Sequence, residues 1–167
     1  SSYLLKKVSV ASGEISTVGS LSESTLEYLP QGTPDSMVWY SGALYYMGHG
    51  TDDLVKITLN GDAIASQAKV ADILDGVSIH PILGVIDAMT VGPDGQLYLA
   101  SRDHQLLASY DIANLTGFNV IKSAGTTSYT AITYRPDQQM FGVPSTTDET
   151  KRQIFSVDDN TGAQQFA

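Results

Sequence analysis

The stretch PDGQLYLASRDHQLLASYDIANLTG, residues 93–117, holds two short apolar runs on either side of a polar gap, with a Pro-Asp-Gly turn before them and a Thr-Gly turn after. Runs this short, rich in Leu, Ile, Val and Tyr between Gly, Asp and Asn turns, read as β-strands, because an amphipathic helix needs a longer pattern at period 3.6. Whether the pattern recurs decides the architecture, since a missed repeat spoils every local reading.

It recurs. GALYYMGHGTDDLVKITLNGDAI (42–64) sets Leu44-Tyr45 where the first stretch has Leu97-Tyr98, and Leu54, Ile57 and Leu59 where it has Leu107, Tyr110 and Ile112. QQMFGVPSTTDETKRQIFSVDDNTGAQQ (138–165) repeats it with Met140-Phe141, Ile154 and Val157, after a longer polar gap. The N-terminal LLKKVSVASGEI carries only the second half, with Leu5, Val8 and Val10 ahead of a Gly turn. Anchored on Val8, Ile57, Tyr110 and Val157, the units lie 49, 53 and 47 residues apart.

Each full unit also has an apolar run before its first turn (SMVWYSG, VIDAMTVGPDG, YTAITYRPDQQ) and a variable run after its Gly turn, which makes four strands, a to d, numbered from the inside outward. A four-stranded antiparallel unit at this period is a propeller blade. The chain resembles the β-propeller superfamily, in the style of the NHL, YVTN and lactonase-like repeats. The family's blades read roughly as "apolar strand, P-D-G, L-Y-V, polar gap, L-x-x-I-D, turn with G", and that pattern carries the resemblance. The expectation is an all-β fold: a single partial β-propeller domain spanning 1–167, of about three and a half four-stranded antiparallel blades. The blades or blade remnants fall near 1–22, 35–72, 84–126 and 128–167. About fourteen strands fall short of the sixteen that four blades need. The expectation is therefore an open arc whose end faces need a cover: the rest of a longer chain, a second copy or another subunit.

The Tyr, Leu and Phe pairs of the second strands are read as packing between blades. An aromatic ligand box of Tyr45, Tyr46, Tyr98 and Phe141 is the sharper alternative, which their b-strand positions disfavour.

Composition narrows the partners. Eighteen acidic against nine basic residues give a net charge of −9 with no basic run, which disfavours nucleic acid and anionic membranes. No cysteine means no disulfide, thiolate metal site or cysteine nucleophile. No apolar run approaches the length of a membrane span. The chain starts Ser-Ser without an initiator methionine or signal peptide, as a processed, trimmed or partial chain would.

The resemblance implies that the b–c and d–a loops share the face around the channel mouth. Those loops gather His49, Asp52, Asp53, His80, Arg102, Asp103 and His104, which are the candidate binding residues. Converging histidines bind divalent metal or act as bases, although polar loop residues are most often simply solvated. Asp87, in the expected innermost strand, is the candidate metal ligand for calcium or zinc, as the lactonase-like pattern implies. The matching positions near Asp35 or Ser36 and at Thr130 form no acidic ring, which counts against a calcium site of that type. The chain has no H-E-x-x-H, G-x-S-x-G or Walker motif. Residues 158–162, DDNTG, read as a turn, and Asn114-Leu115-Thr116 fits a glycosylation acceptor.

The leading expectation is a non-enzymatic module, exported or on a cell surface, that binds a protein or carbohydrate partner or builds an assembly. The rivals are a fragment of a lactonase-like or lyase-like enzyme with a metal near the channel, and a structural subunit of an oligomer or filament.

Overall fold

The computed structural model describes residues 3–22, 34–48, 51–73, 86–101, 106–122, 129–144 and 153–166. Among them the chain forms fourteen strands in four antiparallel sheets, and no helix. The first sheet has two strands, β1 (Leu4–Val8) and β2 (Ile15–Ser20). The second runs β3 (Pro34–Tyr40), β4 (Ala43–Gly48), β5 (Asp53–Asn60), β6 (Ala63–Asp72). The third runs β7 (Ala88–Val91), β8 (Leu97–Ser101), β9 (Leu106–Asp111), β10 (Thr116–Lys122). The fourth runs β11 (Tyr129–Tyr134), β12 (Met140–Pro144), β13 (Phe155–Val157), β14 (Gln164–Phe166). Every sheet is a meander in chain order, so sequence neighbours are also ladder neighbours.

Local chemistry sets the turns. Ser41 and Gly42, with φ of 45° and 80°, close the β3–β4 hairpin in two residues, the left-handed geometry that matches strand twist. The Asp111 carboxylate accepts the N–H groups of Ala113 and Asn114 at 3.0 and 2.9 Å and so shapes the β9–β10 turn. Asp158 does the same for Asn160 and Thr161, both at 2.9 Å, so DDNTG is turn chemistry. The Asn114 side-chain amide, which donates to Asp111 Oδ2 at 2.8 Å, adds to these backbone hydrogen bonds; together they favour the ionised carboxylates and hold both acids below their ordinary range.

The sheets stack face against face around a common inner edge. Strand β7 touches both β3 and β11, the inner strands of the sheets on either side, and β2 lies against β6 at the rim. The Met89 N–H donates to Ser36 Oγ at 2.8 Å, tying β7 to β3. This is the radial arrangement of a propeller: three complete blades preceded by the outer pair of another.

Cores lie between blades. Leu5, Leu21, Tyr46, Val55 and Ile57 fill the space between the first two sheets. Tyr45, Met47, Leu54, Leu97, Leu99 and Tyr110 lead the cluster between the second and third. Tyr98, Ala100, Leu107, Tyr129, Met140 and Val157 fill the space between the third and fourth. Period-2 alternation sends neighbouring residues of one strand into different cores, so β8 runs apolar from Leu97 to Ala100 and is buried at all five positions, Ser101 included. Gly142 permits a close approach here, since a Cβ on it would meet Tyr129 Cδ1 at 2.5 Å.

Candidate functional site

Ladder register places the b–c and d–a connections at one edge of the arc: Asp53 pairs with Asp72, and Ala88 with Ala100. Asp52, Asp53 and Asp72 meet there, with one carboxylate oxygen of each within 4.8 Å of the others. The Lys69 ammonium donates to Asp53 Oδ1 at 2.8 Å and also to Asp72 Oδ1. A side chain of the chain itself thus supplies the cation that such a cluster attracts. Asp87 lies immediately before β7, half-buried, with its N–H donating to the Ala100 carbonyl at 2.9 Å. It continues the ladder one residue beyond the strand, whereas the sequence places it inside the strand. It does not belong to the Asp52, Asp53 and Asp72 group. His49, His80, Arg102, Asp103 and His104 lie outside the described residues. Ser36 and Thr130, near the positions matching Asp87, spend their hydroxyls on backbone: Ser36 accepts from Met89, and Thr130 Oγ1 donates to the Val143 carbonyl at 3.3 Å.

The aromatic residues divide by face and do not converge. Tyr46 faces the first sheet, Tyr45 the third, and Tyr98 the fourth, each buried between blades. The Tyr98 and Tyr134 rings meet at 5.4 Å. The Tyr98 hydroxyl donates to Asp94 Oδ2 at 3.0 Å and that of Tyr134 to Asp159 Oδ2 at 2.8 Å. Burial, with added hydrogen bonding and negative charge, pushes the Tyr98 hydroxyl up to about 12 and raises Tyr134 further.

The exposed apolar surface lies at the two ends of the arc, and the repeat shows why. At the anchor position, which faces the preceding blade, Ile57, Tyr110 and Val157 are 4% exposed or less, while Val8 is 57% exposed. Three residues earlier, at the position facing the following blade, Leu5, Leu54 and Leu107 are at most 8% exposed, while Ile154 is 61% exposed. One residue type at one register position is buried wherever a neighbouring blade stands and bare where none does.

The bare position at each end has companions. At the first end Ile15, paired with Val8, and Leu4 are exposed. Trp39 on β3 is 55% exposed, although Val91 and Tyr134 at the same position of the next blades pack into the interblade cores. At the other end Phe141, Val143, Ala131 and Ile154 line a shallow apolar depression of about 120 Å³, and the Arg135 guanidinium sits 5.1 Å from the Phe141 ring centre. Sequence reading foresaw open faces but not Trp39 or Lys69. Trp39 was findable by aligning SMVWYSG with VIDAMTVGPDG, whereas Lys69 needed the β5–β6 register.

No protein-family model and no curated protein matches the chain. Solved structures do. The chain is similar to virginiamycin B lyase from Staphylococcus aureus at 14% identity and a TM-score of 0.57, covering 97% of this chain and 47% of that one. A nidogen/laminin complex contains a chain similar at 12% identity and a TM-score of 0.61, with 95% and 54% covered. An auxiliary nutrient binding protein from Bacteroides ovatus is similar at 14% identity and a TM-score of 0.59, with 98% and 35% covered. The chain spans about half or less of each of these proteins. At such identities the likeness concerns the fold alone, and it agrees with the four stacked meanders and their interblade cores: the chain has the β-propeller fold, as an arc of three and a half blades.

Proposed function

We propose that the chain is a non-enzymatic propeller module that works through its end faces, binding a polypeptide partner or building an assembly outside the cytoplasm. The observation that carries this reading is the exposure of Val8 and Ile154 at positions that are buried in every other blade. Faces built to lie against a blade favour association, in proportion to the apolar area they bury, with further blades of a longer chain, a second copy or another subunit. A net charge of −9 favours neutral or cationic partners. The presence of similar folds in a nidogen/laminin complex, in a nutrient binding protein and in the extracellular domain of a putative one component system from B. thetaiotaomicron supports a binding role outside the cytoplasm.

Native mass spectrometry and light scattering across concentration test this reading. The expected result is association that Ile154→Lys and Val8→Asp each reduce without loss of the β-sheet signal. A monomer at every concentration, together with failure of Ile154→Lys to alter capture of any partner, would overturn it. Stoichiometric calcium or zinc lost on Asp87→Ala would favour the enzyme reading instead.

A further inference from the structure

A groove of about 420 Å³ runs between the outer strands of the second and third sheets. That volume falls within the roughly 300–1,000 Å³ usual for small-ligand sites. The end of β6 lines it with Asp72 and with Ile73 just beyond the strand, the start of β10 with Thr116, Gly117 and Phe118, and β9 with Tyr110. Both sheets are complete four-stranded blades, so the groove does not depend on what lies beyond either end of the chain.

Local sequence shapes the lining. The ladder passes from Thr116 opposite Asp111 to Asn119 opposite Ser109, so Gly117 and Phe118 together face Tyr110 in a β-bulge. Gly117, with a φ of 77°, takes the left-handed first position of that bulge, and a Cβ on it would meet nothing within 4 Å among the described residues. Phe118 packs against the interblade core and stays half-buried. Tyr110 is only 2% exposed, yet among the described residues its hydroxyl makes no hydrogen bond. Burial, with the Asp111 charge nearby, raises its pKa, so the group stays a neutral hydroxyl able to donate and to accept. Asp72 is the one acid among the described lining residues, and the Lys69 ammonium pairs with it.

This chemistry selects the ligand. The lining is mostly polar, and a polar group covered without a partner costs free energy, so the ligand must itself be polar. Because Lys69 balances Asp72 a cation gains little there, and a net charge of −9 disfavours an anion. An aromatic ring beside neutral hydroxyls suits a molecule with an apolar C–H face and a rim of hydroxyl groups. We infer that the groove between β6 and β10 binds an uncharged pyranose sugar, with the C–H face of the sugar on Phe118 and its hydroxyls bonded to Tyr110 and Thr116. The site lies within one chain, apart from the end faces, and gives the module a second class of ligand.

The probes are the methyl glycosides of glucose, galactose, mannose and N-acetylglucosamine, and neutral glycans on an array that end in the same four sugars. Saturation-transfer NMR of the sugar protons and amide shifts of the whole chain read the binding. At least one of the four is expected to bind saturably, with amide shifts centred on residues 70–73 and 110–118. Tyr110→Phe should weaken it about tenfold without lowering the melting temperature, because the hydroxyl it removes bonds to nothing in the protein. Thr116→Val and Phe118→Ala should weaken it as well. Binding of the free glycosides alone would make the ligand a soluble sugar, and binding of the array glycans too would make it a glycan terminus. Absence of binding by all four sugars, amide shifts centred elsewhere, or full binding by Tyr110→Phe would each overturn the inference. Failure here in a chain that still associates through Ile154 spares the assembly reading, and a strict monomer that binds the sugar does the reverse.

Discussion

Truncation to alanine at a single repeat position in three blades measures how far burial is set by a neighbouring blade. Leu54, Leu107 and Ile154 occupy the same register position three residues before the anchor, but among the described residues only Ile154 faces no following blade. Leu54 and Leu107 are at most 1% exposed, so Leu→Ala removes buried methyl groups and leaves a cavity, at a cost of about 2–5 kcal/mol. Ile154 keeps 61% of its surface in water, so Ile154→Ala forfeits less than half of a side-chain transfer energy and opens no cavity, about 1 kcal/mol or less. For a domain of this size about 1 kcal/mol moves the melting temperature by roughly 2–4 °C, so Leu107→Ala should lower it by about 4–20 °C and Ile154→Ala by no more than about 4 °C. Urea titration at low protein concentration, followed by far-ultraviolet circular dichroism, gives the same comparison in free energy. Equal costs at Leu107 and Ile154 would refute the reasoning, because Ile154 would then be covered within the single chain.

Further substitutions probe other parts of the arc. Gln138 adopts a φ of 69° in RPDQQ, where the matching turn has Gly95 at 79°, so Gln138→Gly should raise stability by about 0.5–1 kcal/mol, read by thermal melting. Gly142→Ala should lower it by about 1–3 kcal/mol, because the new methyl would sit 2.5 Å from the Tyr129 ring, and circular dichroism melts check this. Burial pushes the Tyr46 and Tyr98 hydroxyls up to about 12 from an ordinary 10.0. Because the folded-state value is the higher one, their contribution is complete below pH 10 and is lost as pH rises toward 12, at about 1.4 kcal/mol per pH unit for each tyrosine. Denaturant titrations from pH 9 to 12, with absorbance at 295 nm reporting ionisation, should show that decline, and Tyr98→Phe should make it shallower.

Much of this was legible in the chain because each blade repeats the same physical problem. The spacing of Val8, Ile57, Tyr110 and Val157 marks the third strand in four blades, the Asp-x-Asn-Thr-Gly turn marks where that strand ends in the last blade, and Pro-Asp-Gly marks the turn between the first two strands of its blade. A single position with the same apolar character throughout implies the same neighbour throughout, which is why the two ends were expected to be bare. The acidic edge was harder to read. Asp52 and Asp53 stand out as loop acids, but the pairing of Lys69 with Asp53 and Asp72 depends on a β5–β6 ladder that contains two register shifts, and such shifts leave no period in the sequence. Trp39 was read only as part of an apolar strand, because the same residue is core in a closed neighbourhood and surface in an open one.

The two lysines of β1 have a bearing on how such a chain survives in a crowded solution. If two copies met edge to edge in the symmetric antiparallel register, Lys6 of one would lie opposite Lys6 of the other, and like charges facing across a ladder repel. Charge at the middle of β1 therefore disfavours pairing of this strand with its own copy, whatever strand lies beside it in the whole protein.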